Sequence, residues 1–253
     1  SGQGTHARAM QGIDALRRNG VPFHVICVVG AATLDAVEEL VDFFVAEGIR
    51  DVGFNIEEIE GANRSSTLQC SDIDRRFRTF FMRLLEGAQA ADPPLVIRER
   101  EELLATLRHP SFGRLTRNSQ NDPLGFVSVS SRGDLYTFSP ELAGLTDPQY
   151  GDMAVGRLPG ADLASILASP EFQRMWADIE TGTEMCRSCA YFNLCLGGAP
   201  VNKLAELGTF AGRETLHCRL SHQAIADAVL LQLESTLGAG RSGATAVPVE
   251  RRI

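Results

Sequence analysis

The chain has 253 residues, 44% of them hydrophobic and 22% charged, with 24 Gly, 11 Pro, 6 Cys and a formal charge of −8. That length builds one large domain or two modest ones with a real core, and so few cysteines exclude a small disulfide scaffold. Excess acid argues against nucleic acid or an anionic membrane as partner, and no apolar run approaches the roughly 18 residues of a membrane helix.

The first third alternates helix and strand. Over 7–19, Met10, Ile13 and Leu16 recur at helical spacing, and Gly20 stands where a helix stops. Residues 21–29 form an apolar, β-branched run, the pattern of a strand buried on both faces. Thr33 is placed to cap a helix with the stripe Leu34, Val37, Leu40, Val41, Phe44 and Val45, ended by Gly48; residues 51–56 read as a second strand. This is one βαβ unit, the building block of parallel sheets. An amphipathic helix follows over 72–89, capped by Ser71, with Phe77, Phe80, Phe81, Leu84 and Leu85 on its apolar face. Another is expected over 98–108, between Pro94 and Pro110.

The pattern then changes. Residues 126–130 and 135–138 flank Arg132-Gly133-Asp134 and read as a hairpin. Short helices are expected over 162–168 and 170–180, the second with Ser169 as cap and Pro170 in its first turn. A long helix is expected over 216–237, and the Gly-, Ser- and Arg-rich tail 238–253 reads as disordered. The expected division is 1–91, a linker region 92–123, a second part 124–237, and the tail.

Four of the cysteines follow one pattern, Cys186-x2-Cys189-x5-Cys195-x22-Cys218. A C-x2-C turn brings two thiolates to one centre, and four soft thiolates suit either Zn²⁺ or an iron–sulfur cluster; the spacing does not separate them. Free core thiols or two disulfides are the plainer readings. Cys27 lies in an apolar strand and reads as core, and Cys70 as a free thiol in a polar loop. None of the five histidines forms a ligand pair; His217 adjoins Cys218 and reads either as support for that ligand or as a surface residue. Glu57, Glu58 and Glu60 follow the second strand, where α/β folds bind ligands, yet also suit a solvated acidic loop. Asn55 is the better candidate to face a ligand there. No GxGxxG, P-loop, HExxH or GxSxG motif is present.

The run CRSCAYFNLCLGGAPVNKLAELGTF, followed by ETLHC, resembles the SPASM segment of radical S-adenosylmethionine (SAM) enzymes. LYTFSPELAG and GGAPVNK are similar to the peptide maturases that form cyclophane cross-links. SGQGTHARAMQGIDALRRNGVPFHVICVV resembles the fourth helix and fifth strand of the radical-SAM partial barrel, and VGFNIEEIEGANRSS its sixth strand and exit loop. The resemblance extends to about residue 237. It implies an α/β fold: the back part of a radical-SAM partial (β/α) barrel followed by a SPASM-type α+β domain.

Two departures stand out. The family's CxxxCxxC and GGE stretches are absent and would lie before Ser1, so the chain reads as a fragment whose opening shows no signal peptide. The positions that would ligate a second auxiliary cluster hold Phe138, Ser139 and Ala199. The resemblance therefore implies one auxiliary [4Fe–4S] cluster on Cys186, Cys189, Cys195 and Cys218, with SAM and a second [4Fe–4S] cluster in the full-length parent. In that parent a deoxyadenosyl radical takes hydrogen from a side-chain carbon of a ribosomally made precursor peptide, the carbon closes onto an aromatic ring, and the surplus electron leaves. Asn55 and Ile56 are the candidate contacts to SAM, and Asn202, Lys203 and Glu206 to the peptide. The implied partners are the precursor peptide and a reducing electron donor, in the cytoplasm. A zinc-stabilised peptide-binding module without catalysis is the alternative.

Overall fold

The computed structural model describes residues 4–60, 63–160 and 162–242. Its first sheet is parallel, in the order β1 (Val25–Val29), β2 (Asp51–Ile56) and β3 (Val96–Ile97), with Cys27 opposite Phe54 and Asp51 opposite Val96. Helix α1 (His6–Arg18) precedes β1, and α2 (Val37–Ala46) carries the crossover. Because strand side chains alternate, Val52, Phe54 and Ile56 share one face and are buried in a single core with α2 and α3 (Ile73–Ala90). The opposite face carries Gly53 and Asn55 with their register partners Ile26 and Val28, which are 49% and 61% exposed. The run read as buried on both faces is thus buried on one. Alternation sends Ile26 and Val28 away from the helix layer.

The apolar face of α3 is buried throughout, and Phe54 meets Phe80 edge-on with ring centroids 6.3 Å apart. Burial of each such ring contributes roughly 1.5–3 kcal/mol, which makes α3 the main cover of the sheet. Its N-cap is Asp72, in a left-handed conformation (φ 68°) and paired with Arg75, rather than Ser71. Thr33 likewise opens a 3-10 turn (Thr33–Asp35), and Ala36 precedes α2. Strand β3 and helix α4 (Arg98–Arg108) fall in the stretch expected as a linker, and both attach to the first sheet.

A second, antiparallel sheet joins β4 (Val127–Val129), β5 (Asp134–Thr137) and β6 (Gly156–Arg157). Against it pack α5 (Leu163–Ala168), capped by Asp162 on the Ser165 amide, and α6 (Pro170–Cys186), capped by Ser169 on the Phe172 amide. Phe138 stacks on Phe172 and Trp176 there, with centroids 5.9 and 6.0 Å away. Helix α6 runs past the expected end at residue 180 to reach Cys186. Two unexpected helices follow, α7 (Phe192–Cys195) and α8 (Pro200–Leu207).

The last helix begins with a π-helical turn, Cys218–Ala224, and continues as α9 (Ile225–Ser242). It therefore extends past residue 237, shortening the expected tail; residues 243–253 lie outside those described. Leu216, Leu220, Ala224, Ile225, Ala228 and Val229 join the first core, so this helix crosses back onto α3. Among the described residues no helix is long and apolar enough to cross a membrane.

Candidate metal centre

Three places in the chain deliver the four cysteines. Helix α6 stops at Cys186, whose carbonyl accepts the Cys189 amide at 2.9 Å and closes the C-x2-C turn. Helix α7 stops at Cys195, and the next three residues all have positive φ: Leu196 53°, Gly197 96° and Gly198 71°. A side chain at 197 would also crowd Asn121 Nδ2 and Thr183 Cγ2, each 3.2 Å from its Cβ. Two asparagines clamp this reversal. Asn118 Nδ2 donates to the carbonyls of Cys195 (2.8 Å) and Gly198 (3.1 Å), and Asn121 Nδ2 donates to that of Leu196 (2.6 Å). Cys218 opens the π-helical turn, its amide donating to Thr215 Oγ1 at 2.9 Å. The four cysteines line one pocket, of only about 30 Å³.

Burial pushes the Cys195 thiol up, and pushes that of Cys218 up to about 11, so thiolates are costly here without a compensating cation. Donors nevertheless point at the sulfurs. Lys203 Nζ lies 3.7 Å from Cys186 Sγ, and Gln223 Nε2 lies 3.5 Å from Cys218 Sγ. Among the described residues no three His, Cys, Asp or Glu side chains converge closely enough to hold a single ion. Tetrahedral zinc with Zn–S bonds of about 2.3 Å would draw its four sulfurs to about 3.8 Å from one another. Four thiols lining one pocket, with N–H donors beside two of the sulfurs, are a donor set that suits a thiophilic metal centre. Cys27 packs against the first core and Cys70 lies 3.8 Å from Arg76 Nη1, both apart from this pocket.

The other expected residues fall close by. Asn55 accepts from Arg98 Nη2 at 2.7 Å on the open sheet face, whereas the Ile56 side chain is buried in the core. Both line a second pocket with Glu58, Arg98, Glu102, His217 and His222, and the two histidines line the cysteine pocket as well. His217 is part-buried rather than a plain surface residue: burial pushes it down to about 4, and its Nε2 stands 3.8 Å from Glu58 Oε1.

Asn202, Lys203 and Glu206, expected to meet the peptide, all lie on α8 and have internal partners. Asn202 and Lys203 are 6% and 5% exposed. Asn202 donates to Glu58, and the Glu206 carboxylate accepts the amides of Leu216 and His217, fixing the approach to Cys218. The acidic trio after β2 divides: hydrogen bonds from Thr67 hold Glu57 below the usual carboxylate range, while burial raises Glu58 and lifts Glu60 to about 6. The asparagine clamps escaped the sequence reading, since two amides in a polar loop carry no motif; the carbonyls they serve sit some 75 residues away.

No family model matches the chain. It is 38% identical over 239 residues to the uncharacterized protein sll1766 of Synechocystis sp., an alignment covering 94% of this chain and 60% of that one. Among solved structures it is similar to His6-tagged anSMEcpe with bound AdoMet, with a TM-score of 0.63, 17% identity, and coverage of 93% of this chain and 60% of that one. It also matches native anSMEcpe with bound AdoMet and Cp18Cys peptide, with a TM-score of 0.61, 16% identity, and coverage of 93% and 63%. The chain thus shares the α/β fold of anSMEcpe and spans about three fifths of the length of the proteins it matches.

Proposed function

We propose that this chain supplies the back of the barrel and the auxiliary-cluster region of a radical SAM/SPASM enzyme that cross-links side chains of a ribosomally made precursor peptide, in the cyclophane-forming branch. The observation that carries this reading is the meeting of Cys186, Cys189, Cys195 and Cys218 on one pocket, from three separate places in the chain. Similar folds bind AdoMet and peptide, which supports the assignment of both as ligands here.

Cys186, Cys189, Cys195 and Cys218 would hold the auxiliary cluster as thiolates. When bound, a cluster closed by four thiolates supplies electron transfer and folding energy. The chain's own contribution is positional. Asn118 and Asn121 fix the Cys195 turn, Glu206 fixes the Cys218 turn, and Phe192 and Leu196 form a small apolar cluster with Cys186. Asn55, aligned by Arg98, and the Ile56 backbone are the groups offered to AdoMet. The peptide would meet the open sheet face and the second pocket.

The test is to express the complete protein anaerobically with its precursor peptide and weigh the product. Loss of two hydrogens per cross-link, located by tandem mass spectrometry between an aromatic ring and a neighbouring side chain, is the expected result. An unaltered peptide from enzyme that cleaves SAM would refute the cross-linking assignment.

A further inference from the structure

Lys203 is 5% exposed, and among the described residues no carboxylate lies within ion-pair distance of it. Its ammonium makes one hydrogen bond there, to Cys186 Sγ at 3.7 Å. Burying an unpaired cation costs several kcal/mol, so a lysine in such a place needs a counter-charge within reach. The backbone makes room for this group. Gly182 lies on α6 one turn before Cys186, and a Cβ there would overlap the Phe210 carbonyl oxygen and stand 3.1 Å from Lys203 Nζ. Pro200 starts α8 just after the Gly197-Gly198 reversal, which delivers residue 203 to the same wall as the sulfurs. The remaining charged side chains on the cysteine pocket are Arg213 and Glu214; His217 and His222 also line it, both pushed down to about 4 by burial.

We propose that Lys203 is a positioning residue of the cysteine pocket: its ammonium donates an N–H···S bond to the Cys186 thiolate and supplies the buried positive charge that sets the reduction potential of the group held there. This rests on the cluster reading above. A cluster held by four thiolates is anionic and gains one further negative charge on one-electron reduction. A fixed cation at 3–4 Å from one sulfur favours the reduced form, because charge close by in a dry pocket is weakly screened. The sign follows: remove the charge and reduction becomes harder.

The experiment compares anaerobically reconstituted wild type with Lys203→Met, Lys203→Gln and Lys203→Arg. Iron and sulfide are assayed first, and each protein is then titrated potentiometrically with paramagnetic resonance as readout. Expected is equal iron in all four proteins. The equilibrium constant for reduction should fall at least tenfold in Lys203→Met, equivalent to 59 mV more negative for one electron. Lys203→Arg should return toward wild type. Lys203→Gln keeps an N–H donor without the charge, so it should follow Lys203→Met. An unchanged potential in either neutral variant at full iron content overturns the proposal. Loss of iron from both neutral variants, with iron retained in Lys203→Arg, also overturns it, since Lys203 would then hold the cluster rather than tune it. Wild type without iron contradicts the cluster reading itself, which is a separate failure.

Discussion

Asn202 Nδ2 donates a 2.7 Å hydrogen bond to Glu58 Oε2 across 144 positions of sequence. This contact joins the end of β2 to the start of α8, and so joins the open sheet face to the cysteine pocket. Both partners are largely shielded, so each leaves a poorly solvated group behind when the other is removed. Asn202→Ala should cost about 2 kcal/mol, the scale of a hydrogen bond to a charged group. Urea denaturation of Asn202→Ala, Glu58→Gln and the double variant checks it; a coupling energy near zero would show that the two side chains act independently.

Glu60 gives a pH signature. Burial first, then the charges of Glu58 and Glu141, lift its carboxyl to about 6, and its Oε1 is buried with no partner among the described residues. An acid raised in the folded state binds more protons there than when unfolded, so stability falls as pH rises from about 4.5 to 6. Glu60→Gln removes that loss. The urea midpoint of Glu60→Gln should gain on wild type through this window and hold its lead above pH 6. Parallel midpoints across the window would reject the assignment.

The sheet cover should be fragile at α3 and tolerant at the β4 edge. Phe80 is 1% exposed and packs against Phe54 and Phe77, so Phe80→Ala should cost about 3–5 kcal/mol. Phe126 is 41% exposed, and Phe126→Ala should stay within about 0.5 kcal/mol of wild type. Equal losses from both would mean that the core does not lie under α3.

Much of the fold was legible where local pattern and tertiary need agree. Helix α4, expected between Pro94 and Pro110, and strand β2 have the bounds expected of them, and the five apolar positions named on α3 are all buried. Elements created by distant partners were not. Strand β3 is two residues long, too short for alternation to register, and exists because Val96 and Ile97 pair with Asp51 and Val52. Helix α6 continues six residues past its expected end, through Gly182, where a Cβ would overlap the Phe210 carbonyl oxygen. At the site, the four cysteines were visible from spacing alone. The burial of Lys203 was hidden, because helix α8 itself was not expected and its packing beside Gly182 of α6 is made across the fold, as are the Asn118 and Asn121 clamps.

The most direct test of the account is the metal content of the chain after anaerobic reconstitution, with Cys186→Ala and Cys27→Ala alongside. About four irons and four sulfides per chain are predicted for wild type, the same for Cys27→Ala, and loss of the cluster in Cys186→Ala. One zinc per chain with no iron, or iron that survives Cys186→Ala undiminished, would contradict it.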